Sequence, residues 1–244
     1  MALTKGMAIG YDLLYKTARV HDSKKDEVQE AVDLMLKNQE RYREVARTVG
    51  MPWEIPACIH EMEFDQDFSR CLHNGQRWDR VTTKVPKGVG PFNSWYESSV
   101  DAMTTLNKRM KSAIKDWDGI WTVPVALYSF EMHNGFGFRK RGINSPYLWS
   151  YTQHYTKGKY VEKRYWCFGW KYRSVWKPNM VSEQCGVASY LKLLEFANKK
   201  TIEETKITAC KHFGMNIDQL KGVCGSIDSS VCEKCKNFEI IYEK

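Results

Sequence analysis

No apolar run in the 244-residue chain approaches the roughly 20 residues that a bilayer-spanning helix needs, so no transmembrane helix is expected. The opening segment, MALTKGMAIGYDLLYK, lacks a basic start, a long apolar stretch and a small-residue cleavage site, and reads as mature sequence. On that reading, action outside the cytoplasm requires release by lysis or through a pore, or delivery inside a particle. Basic residues are never gathered into a run of five or six, so the chain has no tail of the kind that binds nucleic acid. Internal repeats and low-complexity tracts are also missing, which argues against a solenoid or a disordered linker protein.

What is present is a basic and aromatic chain. Lys and Arg number 37 against 29 Asp and Glu, a formal charge of +8. Such an excess suits a polyanionic partner, whether nucleic acid, an anionic membrane surface or a bacterial cell wall. A plain solvated surface would account for it equally well. Aromatic residues make up 13% of the chain, and many fall between Trp149 and Trp176. SPYLWSYTQHYTKGKY is too polar for a simple buried element. Rings beside hydroxyls and amides suit a saccharide groove, and could also stack nucleobases; the plainer alternative puts about half of them in the core. Of the eight cysteines, Cys58, Cys71, Cys167 and Cys185 are scattered and read as small reduced core residues. Cys210, Cys224, Cys232 and Cys235 crowd near the C-terminus.

Helical periodicity dominates. Val28, Ala31, Val32, Met35 and Leu36 recur at helical spacing in a stretch from about Asp26 to Gly50, where the glycine suits a C-cap. Pro52 opens a further helix, Glu54 to about Asp67, with Ile55, Cys58, Ile59 and Met62 on one stripe. A polar loop follows, then helices from about Ser94 to Lys115, Pro124 to Met132 and Glu183 to Lys199. The expected fold is therefore mainly α with long loops, with room for a minor β element. Residues 1–200 form the main domain, of which 1–50 are an N-terminal helical part, and 201–244 a Cys-rich appendage. Connections of about 20 residues inside a compact domain usually carry function, which directs attention to the loop after His73 and to the aromatic region.

The chemistry most readily suggested is that of carboxylates. IPACIHEMEFDQDF places Glu61, Glu63, Asp65 and Asp67 close together at a helix end. A carboxylic acid at the edge of an apolar helix face, under a cleft, is what protonation of a glycosidic oxygen requires. Glu61 and Glu63 flank the apolar stripe on opposite sides, so helical geometry alone does not choose between them. A solvated acidic helix end is the plainer alternative.

Several ordered motifs go further. They are Pro52-Trp53, Ile59-His60, Glu63, Phe68, Leu72-His73-Asn74-Gly75, Val85-Pro86-Lys87-Gly88 and Trp95-Tyr96-Glu97-Ser98-Ser99. Glu131, Asn134-Gly135-Phe136-Gly137-Phe138, Ser145 to Ser150 and His154 to Tyr160 continue the series. In this order, over about residues 10–197, the chain resembles bacterial and phage lysozyme-family proteins related to goose-type lysozymes and lytic transglycosylases. The resemblance implies a lysozyme-like fold and cleavage of the glycan strand of peptidoglycan, as muramidase or lytic transglycosylase. It implies Glu63 as the catalytic acid, the Glu of an IH-x-x-E-S pattern whose Ser is Phe64 here. A second carboxylate to position water would come from Asp65, Glu97, Asp101 or Glu131. The expected saccharide contacts are His73, Asn74, Glu131, Asn134, Gly135, Tyr147, Trp149 and His154. Turn duty for His73-Asn74-Gly75 and C-cap duty for Asn134-Gly135 are the structural alternatives.

No cofactor is required for this chemistry. Cys232 and Cys235 have the spacing of half a tetrahedral zinc site, which Cys210, His212 or Cys224 could complete. Disulfides and free thiols are the other readings of that segment. The resemblance makes peptidoglycan the expected partner, with other phage virion proteins where the protein is particle-borne. Nucleic acid is the least favoured partner. The expected locations are the host cytoplasm before release, or the virion, with action on the bacterial wall. A catalytically inactive wall-binding or virion structural protein is the alternative, motivated by Phe64.

Overall fold

A computed structural model describes residues 1–166 and 170–196, with side chains left out of account at 165–171. The elements run α1 (Lys5–Thr17), a 3-10 turn (Asp22–Lys24), α2 (Lys25–Lys37), α3 (Gln39–Val49), α4 (Glu54–Phe64), α5 (Trp95–Ala113) and α6 (Val123–Asn134). A second 3-10 turn (Arg139–Arg141) precedes α7 (Pro146–Trp149), β1 (Lys159–Trp166), β2 (Trp170–Lys177) and α8 (Val187–Leu193). The described residues are mainly helical, with one two-stranded antiparallel sheet among them. Among the described residues no helix is long and apolar enough to cross a membrane.

Two helices occupy the middle. In α6 every residue from Pro124 to Met132 is buried, as a helix apolar on all sides must be. It packs against α1, α5, α7 and α8. α4 buries Ile55 to His60 and Met62, and packs against α3 and α8. Local signals set the ends. The Ser94 side chain accepts from the Glu97 N–H at the start of α5, while Glu97 reaches back to the Asn93 N–H at 2.9 Å, a close variant of the capping box. Thr122 caps α6, and Gly50 ends α3 at φ 70, a left-handed value that glycine adopts without strain.

Two expectations need correction. The single helix expected from Asp26 to Gly50 is two, broken at Asn38, whose side chain turns back to bond the Leu34 carbonyl at 3.0 Å. That local bond competes with the helical ladder. The last helix starts only at Val187 and closes at Leu193, not at Glu183 and Lys199; residues beyond 196 lie outside the described part. The aromatic region holds a short helical turn, α7, and the hairpin β1–β2, the minor β element for which the expected fold left room. Cys58, Cys71 and Cys185 are buried free thiols, as expected. Cys167 and the appendage from 201, with Cys210, Cys224, Cys232 and Cys235, fall outside the described residues.

Candidate functional site

The end of α4 separates the two glutamates that its sequence leaves equivalent. Glu61 turns toward α8, where its carboxylate accepts from the Gln66 amide at 2.8 Å and the Tyr190 hydroxyl at 3.4 Å. Burial pushes its carboxyl pKa up. Glu63 turns the other way, toward α6 and α7. Its Oε1 accepts from the Tyr147 hydroxyl at 3.1 Å and lies 3.4 Å from His133 Nε2. The Glu63 side chain keeps 29% of its surface open, against 16% for His133. Both contacts fall on one oxygen, Oε1. Tyr147 is buried, and burial, with the Glu63 carboxylate beside it, pushes its phenol pKa far above the ordinary value. It therefore stays a neutral donor at every working pH. The α4 backbone is held at this point from α8's side, because the Gln184 amide donates to the Met62 carbonyl.

After Glu63, the helix closes at Asp65 in the left-handed region, φ 47. Phe64 does not face the site as a hydroxyl would. Its ring lies on Gly75, where an added Cβ would overlap it, and the Arg70 guanidinium sits 6.0 Å from the ring centre. Phe64 thus covers the His73-Asn74-Gly75 turn. Within that turn Asn74 donates to the Lys84 and Pro86 carbonyls at 3.1 and 3.2 Å and accepts from the Gln76 N–H, so it builds the loop. His73 stacks on Phe92 and bonds Asp101 at 2.9 Å. Burial pulls its pKa down, but its bonds with Cys71 and Asp101 outweigh this and hold it above the ordinary value.

The remaining expected saccharide residues divide. Glu131 is 2% exposed and bound by the Tyr11 hydroxyl and a two-pronged Arg139 guanidinium, 2.6 Å at its shortest. It is a structural counter-ion at the α1–α6 contact and not a saccharide contact. Trp149, expected to stack on a sugar, is 2% exposed and one of the largest core side chains, with neither face free for a ligand. His154 meets the Trp149 ring edge-on and pairs with Thr17 Oγ1 at 3.0 Å, joining the segment after α7 to the end of α1. Gly135 serves as the C-cap of α6 at φ 94, and exposed Asn134 reaches Ser145 at 3.5 Å. Tyr147 belongs to the site, but as a partner of Glu63. His133 was not expected in the site; no spacing rule links a residue ending α6 to one ending α4. Of the other carboxylates, Glu97 is committed to its helix start and Asp101 to His73, while Asp65 is exposed.

Comparison of the chain with models of known families, with curated proteins and with solved structures found no match. Among the described residues no three metal-ligating side chains come together.

Proposed function

We propose that the protein cleaves the glycan strand of peptidoglycan, with Glu63 as general acid. The observation that carries this reading is the asymmetric hold on Glu63. Tyr147 and His133 fix Oε1, and Oε2 is left to deliver a proton to a glycosidic oxygen. A buried neutral phenol and a largely covered imidazole orient the acid without adding another carboxylate beside it. Glu61, the rival, has both oxygens engaged by Gln66 and Tyr190. Glu131, Glu97 and Asp101 have structural partners, which leaves exposed Asp65 as the second carboxylate for hydrolysis; without it, a single acid serves and the sugar's own hydroxyl displaces the leaving group. Products that lack the added water would distinguish it from hydrolysis by mass. The resemblance of the ordered motifs to phage and bacterial lysozymes is what suggests the substrate class and a release by lysis or from a virion.

Purified peptidoglycan tests this directly. Wild type clears a turbid suspension, Glu63→Gln does not while keeping its fold, and Glu61→Gln still clears it. Wild type that binds without clearing, over a range of pH and wall types, would instead support the wall-binding protein that Phe64 suggests. That residue places a ring on Gly75 where the family pattern has a hydroxyl beside the acid.

A further inference from the structure

The second half of α3 brings Arg43, Ala46 and Arg47 to one face, as three- and four-residue spacings on a helix do. The chain then turns through Met51 and Pro52 into Trp53, the residue before α4, and Trp121 arrives from the segment before α6. Together these residues line an open cavity of about 610 Å³, a size within the range of small-molecule sites. It lies at the first turn of α4, and Glu63 is about 14 Å further along that helix. The two places share no residue.

The lining is chemically one-sided. Ala46 and Met51 are buried, Pro52 and Trp53 half-buried, and they make an apolar floor. The polar side-chain groups are two guanidiniums and two indoles, which donate hydrogen bonds and accept none. Trp121 is 6% exposed, and its indole N–H has no acceptor among the described residues. The two arginines already converge on one carboxylate. Glu40, on the same helix, stands 2.5 Å from Arg47 and 4.0 Å from Arg43. Glu54 also lies beside Arg43, so the arginines are close to balanced and a bound anion has to take the place of Glu40. That exchange is easy, because the Glu40 side chain is 69% exposed and exposed ion pairs contribute little. A ligand carboxylate carried on an apolar body forms the same pair in drier surroundings, and covers the floor as well.

We propose that this cavity binds the terminal carboxylate of a short peptide with small apolar side chains, which on a bacterial wall is the free end of a stem peptide. The choice of the stem peptide rests on the peptidoglycan reading, whereas the carboxylate chemistry rests on the cavity. The test is an NMR titration of the isotope-labelled full chain with N-acetyl-D-alanyl-D-alanine, with its C-terminal amide, and with inorganic phosphate. The acid is expected to bind, and the amide to bind on the order of tenfold more weakly, as loss of a hydrogen bond to a charged group predicts. Arg47→Gln should weaken the acid by a similar factor. Glu40→Gln should tighten it, because the internal competitor is gone. Arg80→Gln, an exposed arginine outside the cavity, should leave it unchanged. All three variants replace exposed side chains and are checked for an unchanged melting profile. Failure of the acid to bind, equal binding of acid and amide, or weaker binding by Glu40→Gln overturns the proposal. Phosphate bound as tightly as the acid also overturns it and reassigns the cavity to phosphate esters. A synthetic peptide reports binding without cleavage, so failure here is separate from failure of Glu63 to act as an acid.

Discussion

At the scale of single residues, Tyr147 is the informative side chain, because it touches Glu63 and is itself buried. Removing its hydroxyl leaves Oε1 with only the longer His133 contact to orient it. Tyr147→Phe is expected to lower kcat about tenfold, the worth of one hydrogen bond to a charged group, with KM nearly unchanged. Steady-state kinetics on soluble glycan fragments check this; a rise in KM with kcat intact would return Tyr147 to the role of a sugar contact. Gly75 offers a second test. Its φ of 70 and the Phe64 ring above it both oppose a side chain. Gly75→Ala should cost about 2 kcal/mol or more in urea unfolding. Part of that cost, the overlap and not the backbone strain, should disappear in the Phe64→Ala background.

At the scale of elements, most helices were legible because their signals are local. Ile55, Cys58, Ile59 and Met62 give α4, Ser94 and Glu97 give the start of α5, and Pro124 and Gly135 bracket α6. The break at Asn38 was not legible, since a side chain bonding its own helix's carbonyl leaves the apolar period unchanged across it. The hairpin was hidden because charged and aromatic residues are mixed along both strands, so apolar and polar residues do not alternate simply. For the site, Glu63 could be reached only through a resemblance, and Glu131 and Trp149 were misjudged for one reason. Both residue types suit saccharide binding, and only the packing of α1 and α7 on α6 shows that their atoms are already occupied.

At the scale of the whole molecule, stability should depend on acidity through His60. Its ring is buried against Tyr42, Phe68 and Trp95 and pairs with the Tyr42 hydroxyl at 3.0 Å. Burial pulls its pKa down from 6.5 to about 4. The folded protein therefore keeps the ring neutral where the unfolded chain would take up a proton. The contribution is fully present above pH 6.5, is lost as pH falls from there toward 4, and is constant below. Its size is about 3 kcal/mol. Urea titrations at pH 7 and pH 4.5 should show this loss in wild type and a smaller one in His60→Gln; an equal loss in both would assign the acid sensitivity to other groups.

The contact between Tyr11 and Glu131 also has a consequence in time. The two residues are 120 positions apart, and α1 rests its buried face, Ala8, Tyr11 and Tyr15, against α6. A ribosome adding roughly 5–20 residues per second leaves that face without its partner for on the order of ten seconds. Throughout that interval the nascent chain presents two tyrosines and an alanine meant for the interior. The α1–α6 contact therefore cannot close before Glu131 and Arg139 have emerged, and until then the buried face of the first helix lacks its partner.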